Sequence, residues 1–454
     1  MHVDVIATGS LGDRSHVIHD GEVALVVDPQ RDLDRVEAVA SREGVRVAAV
    51  AETHIHNDYV TGGHALAAAT RAPYLVHAAD PVAFDRRAVV DGEEIRVGTL
   101  RVRAVATPGH TVTHLAYVVD DTAVPGEPPA VFTGGSLLFG SVGRTDLVDP
   151  ARTADMTRDQ YRSAHRLADS LPDEAHVYPT HGFGSFCSSG SATGAAASTI
   201  GTERATNDAL LAVDEDRFVA GLTAHLTAYP RYYAHMAPRN LAGPDAADLS
   251  PAAAVDRDGL RKRIADGEWV VDLRERTAFA ARHLGGTIGI PLGRQFSTYL
   301  GWLIPWGTPV TLVGETADDV AVAQRQLARI GIDRPAGAAV GPLADLGPSG
   351  DLRRYPTATF ADLAARSAVE ADEPVLDVRR DDERARGGIA AAHHAPLQDL
   401  AAGLDGLPAG RLWVHCASGF RAGIAASLLD RAGRDVVLVD DDYARAVELG
   451  LARG

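Results

Sequence analysis

The segment ETHIHNDYVTGG (52–63) carries His54, His56 and Asp58 at alternate positions, directly after the apolar run VRVAAVAE (45–52). Side chains at a strand's end and in the loop beyond it can converge. Imidazole with carboxylate suits zinc or iron, the choice being set by geometry more than by raw affinity. Two more histidines stand at comparable junctions far along the chain: His110 in ATPGHTVTH and His181 in VYPTHGFGS, each after its own apolar stretch. Three strand-to-loop junctions with histidine are a poor fit to coincidence, so a metal centre is expected. A thiol offers a second chemistry. Cys416 follows the run LWVH, and Arg421 opens an Ala- and Leu-rich helical stretch within HCASGFRAGIAASLLDRAG (415–433). Backbone N–H groups at a helix start lack partners, and the dipole there favours an anion such as a thiolate. Ser418 and Gly419 are read as the substrate-binding part of this loop, Gly419 allowing tight curvature, and Arg421 is expected to add a fixed positive charge. A thiolate in such a cradle can attack a sulfane sulfur and carry it as a persulfide.

The elements that must position these groups are short. Strand-like runs at 3–7, 16–20, 23–29, 45–52, 74–78, 100–107, 115–120 and 130–134 alternate with helical stretches near 31–43 and 152–169. Many short strands with intervening helices imply an α/β architecture in which helices cover sheets. PRNLAGPDAADLSPAAAVDRDG, between about 238 and 258, reads as a linker. Beyond it the sequence repeats itself: WVVDLRERTAFAARHLGGTIGIPL (269–292) resembles PVLDVRRDDERARGGIAAAHHAPL (374–397), with Asp272 and Asp377 each 19 positions ahead of a proline. Each block leads to a buried-strand pattern, PVTLVGE (309–315) and RLWVHCAS (411–418), and then to a helical stretch. Two tandem small α/β domains are the expectation. A second linker is read at 342–357, giving domains at 1–242, 257–342 and 357–454.

Composition narrows the function. Sixty-one acidic against 44 basic residues give a formal charge of −17, which argues against nucleic acid and anionic membrane surfaces as partners. No apolar run is long enough to cross a bilayer, and the first residues lack the basic and apolar regions of a signal peptide. Two cysteines, Cys187 and Cys416, exclude a disulfide scaffold, so a cytoplasmic, reducing setting is expected.

Residues 1–240 resemble the metallo-β-lactamase superfamily, whose signature is H-x-H-x-D-H with later His, Asp and His ligands. The nearest branch is that of persulfide dioxygenases and glyoxalase II-like hydrolases. The resemblance implies a four-layer αβ/βα sandwich with metal at one sheet edge. His54, His56, Asp58, His110 and His181 match motif positions one by one. Tyr59 stands where the family has a further histidine. Gly135, in FTGGSLLFGSVGRTDL (132–147), stands where it has the bridging aspartate. Two-metal hydrolysis needs a carboxylate between its ions, and the family's mononuclear iron site uses that same carboxylate. The set left for one ion is His54, His56 and His110, with Asp58 and His181 as weaker ligands or orienting groups. One divalent metal per chain follows, Fe(II) first and Zn(II) as the alternative. Arg144, beside Asp146 in GRTDL, matches a stretch near the family's substrate site and is taken as substrate-binding; a local ion pair is the other reading. Cys187 is expected to be a free buried cysteine. His16, His19, His64, His77, His114, His165 and His176 match no ligand position and are read as surface or packing residues.

Residues 357–454 look like rhodanese, the sulfurtransferase family, with its C-x-x-G-x-R loop and a D-V-R strand at Asp377, Val378 and Arg379. The first repeat has Asp272 and Arg274, expected to be a fold-stabilising pair, but Gly314 where the cysteine should be, so it is read as a structural or interface domain. The fusion implies sulfane-sulfur transfer through a Cys416 persulfide, coupled to metal-dependent persulfide oxidation. Its partners would be small thiols and persulfides such as glutathione, or thiosulfate, with a homodimer left open. Two alternatives stand beside it: a zinc hydrolase of glyoxalase II type with accessory rhodanese domains, and an inactive metal domain serving as scaffold for a sulfurtransferase.

Overall fold

A computed structural model describes residues 1–190, 194–366 and 372–453. The chain divides into two compact units, one of residues 1–248 with 328–331, the other of 249–327 with 332–454. In the first unit six strands form a mixed sheet in sequence order: β1 (His2–Thr8), β2 (Asp13–His19), β3 (Val23–Val27), β4 (Arg46–Ala51), β5 (Tyr74–His77) and β6 (Arg87–Val89). Six more form a second sheet, again in order: β7 (Glu94–Val97), β8 (Leu100–Ala106), β9 (Leu115–Asp121), β10 (Ala130–Gly134), β11 (His176–Pro179) and β12 (Ser198–Thr199). Alternation along the strands builds the layers. On β9, Leu115, Tyr117 and Val119 face the core between the sheets, where they meet Leu25 and Val27 of β3. Ala116 and Val118 face the opposite way, onto Ala164 and Leu167 of the helix Thr153–Ser170. On β3, Ala24 and Val26 turn outward to Val36 and Val39 of the helix Asp34–Glu43. The result is helix, sheet, sheet, helix.

The second unit holds both repeats. Its strands are β13 (Trp269–Asp272), β14 (His283–Leu284), β15 (Ile288–Gly289), β16 (Val310–Gly314), β17 (Gly337–Val340), β18 (Leu352–Arg353), β19 (Thr357–Ala358), β20 (Val375–Asp377), β21 (His393–His394), β22 (Leu412–His415) and β23 (Val436–Val439). They form two parallel sheets, ordered β15-β13-β16-β17 and β19-β23-β22-β20-β21, and the small pair β14-β18. The registers make the repeat explicit. Asp272 pairs with Val313, and Asp377 pairs with His415. Gly314 therefore occupies in the first sheet the position of Cys416 in the second. The same fork recurs too: Arg274 binds the Asp272 carboxylate, and Arg379 that of Asp377, each also donating its backbone N–H.

The first expected linker contains the boundary between the units, at 248/249, but begins later than expected, and the second is no linker. Residues 238–242 lie inside the helix Tyr233–Ala242, which the buried Asn240 fastens to the metal-motif loop. Within 342–357, β18 pairs with β14, so this stretch is part of the unit's framework. The repeats share a unit because the helix Phe420–Arg431 touches both: Ser427 reaches the Gly289 carbonyl at 3.5 Å, and Asp430 lies 3.0 Å from His283 Nε2.

Asp28, just past β3, ties the two sheets of the first unit together. It is fully buried and takes a left-handed backbone (φ 51°), which asparagine and aspartate tolerate better than most residues. Its carboxylate accepts the Thr53 N–H at 2.7 Å and the Thr53 hydroxyl at 2.7 Å from beyond β4, and the Thr180 hydroxyl from beyond β11. Asp28→Ala strands these buried donors, and is expected to destabilise the chain by about 3 kcal/mol. Equilibrium urea unfolding measures this, and an unchanged unfolding curve would refute the role.

Candidate metal and thiol sites

The loops leaving β4, β8, β10 and β11 meet at one end of the sandwich. There His54, His110 and His181 bring ligand nitrogens within 4.8 Å of one another, and His56, Asp58 and His181 do the same; all are buried. The trio expected from sequence, His54 with His56 and His110, is not the grouping that closes. His181 belongs to both sets, and His56 also groups with Asp28 and Glu52.

The ring nitrogens are oriented by oxygens behind them. His110 Nδ1 donates to the Arg144 carbonyl at 2.7 Å, and His181 Nδ1 to Asp13 at 2.9 Å. The Thr53 hydroxyl spends its proton on Asp28, so His54 Nδ1, 2.9 Å away, must be the donor there. Each ring thus turns a bare Nε2 inward. His54 Nε2 and His181 Nε2 lie 3.3 Å apart, a separation that requires a positive charge on or between them, either a proton or a cation. His110 Nε2, His56 Nδ1 and Asp58 Oδ1 are buried with no hydrogen-bond partner. This donor set fits a first-row divalent ion.

Electrostatics keeps most of the imidazoles neutral. Burial, then the charge of His181, lowers His110 to about 3, and burial with the neighbouring rings holds His54 and His114 well below the usual histidine value. His56 differs. Burial alone would lower it, but Asp28 and Glu52, at 3.2 and 3.1 Å from its Nε2, raise it to about 10. Tyr59 Oη stands 2.9 Å from the same nitrogen. Burial and the Asp58 charge push Asp13 up to about 7, while His181 holds Asp58 low against its own desolvation. Glu52 also accepts from Tyr74 at 2.8 Å and Thr61 at 2.5 Å. Asn240 closes the loop, donating to the His56 and Tyr59 carbonyls and accepting from the Thr61 N–H.

Several of these groups escaped the sequence reading. Asp13, Asp28, Glu52 and Asn240 lie far apart in sequence or carry no motif; the one legible hint is Asp28 at the end of an apolar strand. His114, read as a packing residue, stacks on His54 at 4.8 Å and accepts the Gly135 N–H at 3.0 Å. Arg144 is corrected as well. Its guanidinium is buried in a two-pronged pair with Asp146, both arms 2.7 Å, and also donates to the Phe186 and Thr227 carbonyls. With its donors spent on the fold, it holds the His110 loop rather than facing a ligand. Cys187 is buried, as expected, with its thiol against Asp58; burial and the charges of Asp58 and Asp13 push it up.

In the second unit Cys416 is buried at the end of β22, and the helix Phe420–Arg431 starts four residues later. Gly419 adopts φ 82°, and a Cβ there would collide with the Asp440 carboxylate and stand 3.1 Å from Arg276 Nε. Arg276 comes from the first repeat and donates to Asp440 at 2.6 Å. From the same repeat, Tyr299 packs edge-on to Phe420 at 5.5 Å and interacts electrostatically with Arg421 and Cys416. Arg421, expected to add a fixed positive charge, is held in place by an acidic partner. Both its arms bind Glu383, at 2.5 and 2.7 Å, so the carboxylate fixes it and neutralises much of its charge.

The Rhodanese-like domain family matches residues 359–447. A hydroxyacylglutathione hydrolase-like protein of Homo sapiens is 34% identical over 148 residues, 32% of this chain and 48% of that protein. The mitochondrial persulfide dioxygenase ETHE1 of Homo sapiens is 28% identical over 177 residues, 39% of this chain and 63% of its own. The chain therefore spans about half to two thirds of these relatives' length. Among solved structures, a metallo-beta-lactamase from Staphylococcus aureus subsp. aureus COL superposes with a TM-score of 0.66 at 27% identity, covering 75% of this chain and 99% of that one. No helix among the described residues is long and apolar enough to cross a membrane. The chain joins a metallo-β-lactamase fold, with glyoxalase II and persulfide dioxygenase relatives, to a rhodanese-like domain at residues 359–447.

Proposed function

We propose that the chain moves sulfane sulfur through Cys416 and that its metallo-β-lactamase-fold unit oxidises the resulting low-molecular-weight persulfide. The observation that carries the reading is Cys416 itself, a lone thiol at the start of a helix within the rhodanese-like stretch, where the repeated sheet has only Gly314. Its thiolate attacks the outer sulfur of a donor such as thiosulfate. The S–S bond breaks, sulfite leaves with the bonding pair, and a Cys416 persulfide remains. A small thiol such as glutathione then takes the outer sulfur and releases the Cys416 thiolate.

In the other unit one divalent ion, Fe(II) first and Zn(II) second, would be held by His181 with His54 and His110, or with His56 and Asp58. Such an ion supplies Lewis acidity and, as Fe(II), redox chemistry toward oxygen at sulfur. The chain's residues prepare the centre: Asp13, Thr53 and the Arg144 carbonyl each hold one ring with its Nε2 inward. Likeness to the persulfide dioxygenase supports oxidation. The hydrolase relatives favour a second reading, a zinc-dependent thioester hydrolase. Tyr59 and Gly135 weigh against it together, since a two-ion site needs both the missing histidine and the missing bridging carboxylate, whereas one ion keeps three imidazoles.

Cys416→Ser is expected to abolish thiosulfate-to-thiol transfer while leaving metal content unchanged; residual transfer above background would refute Cys416 as the carrier. Metal analysis of the purified chain separates the two readings, one iron per chain favouring oxidation and two zinc ions favouring hydrolysis. Iron-loaded protein should consume oxygen with glutathione persulfide, and His54→Ala should lose at least roughly 100-fold of that rate. Uptake equal to that of the variant would remove the dioxygenase activity.

A further inference from the structure

The His110 imidazole lies in a slot between two glycines. A Cβ added to Gly135 would stand 2.6 Å from His110 Cγ and 2.8 Å from its Nε2, and one on Gly143 would stand 2.7 Å from its Nδ1 and 2.9 Å from its Cγ. All four separations fall below the 3.0 Å that real Cβ contacts essentially never breach. Neither position can carry a side chain while the ring stays where it is. The slot is also pinned from all sides. Gly143 N–H donates to the Gly135 carbonyl at 2.9 Å, Gly135 N–H donates to His114 Nε2 at 3.0 Å, and the ring's own Nδ1 donates to the Arg144 carbonyl at 2.7 Å. His110 Nε2 is left buried, unpartnered and within reach of His54 and His181.

We infer that Gly135 is the seat of the His110 ring, and that the centre is a three-imidazole site, His54–His110–His181, for one borderline divalent cation. The inference deepens the metal-binding reading above and rests on it. On this geometry the glycine is not a ligand position left empty, because the space beside its Cα belongs to His110. An aspartate there would evict one ligand in order to supply another. An all-imidazole set suits zinc, cobalt, nickel or ferrous iron and disfavours magnesium and manganese, which prefer oxygen ligands.

Cobalt(II) titration of the full chain, followed by its visible absorption, tests the site. The wild type should take up one equivalent, unaffected by excess magnesium. Gly135→Ala and Gly135→Asp should both bind roughly ten- to a hundredfold more weakly. Gly221→Ala, whose added methyl would meet nothing within 4 Å, should bind as the wild type does. Tighter binding by Gly135→Asp, or a second equivalent in that variant, would overturn the inference while leaving the metal reading intact. No uptake by the wild type would overturn both. A thermal-unfolding cycle needs no metal: Gly135→Ala should lower Tm in the parent, but cost little in a His110→Ala background, where the slot is vacated. Strictly additive losses would sink the seat even if cobalt binds.

Discussion

A single buried carboxylate fixes the geometry of the first unit. Asp28 sits where the two sheets converge and receives donors from the loops after β4 and β11, and His56 Nε2 lies 3.2 Å away. A buried anion is costly unless it is fully hydrogen-bonded. The loops carrying His54, His56 and His181 are therefore held to the arrangement that satisfies it. The backbone strain of a left-handed aspartate is tolerable because so many contacts depend on that conformation. His110 is held separately, by the Arg144 carbonyl.

The centre built on that anchor separates charge by position. His54, His110 and His114 are kept neutral by burial and by one another, whereas His56 is drawn to the charged form by Asp28 and Glu52. Two kinds of imidazole thus share one pocket. His54 and His110 turn lone pairs inward, as cation binding requires, while that of His114 accepts the Gly135 N–H. The charged one completes the acidic network beneath. His181 bridges these groups through Asp13, and its Nε2 faces that of His54.

The second unit shows how duplicated physics can diverge in chemistry. Both repeats keep the Asp–Arg fork and the same sheet register, so the backbone geometry at Gly314 and at Cys416 is set by the same interactions. Only one carries sulfur. The silent copy nevertheless supports the thiol loop, through Arg276 on Asp440 beneath Gly419 and through Tyr299 against Phe420.

The sequence by itself determined what local pattern controls. Alternating apolar strands set the α/β class, the internal repeat was visible at Asp272 and Asp377, and His54, His56, His110, His181 and Cys416 were legible because each ends an apolar run. Glycine in place of a bridging acid was legible too, at Gly135. Only the tertiary structure decided which histidines meet, because His181 reaches His54 across 127 positions of chain. It alone revealed Asp13, Asp28, Glu52 and Asn240 as partners, turned Arg144 and Arg421 from ligand-facing cations into paired ones, and filled the space beside Gly135 with an imidazole. Periodicity reports which face of an element is buried. Contacts between distant loops depend on closing the whole sandwich, which no local spacing encodes.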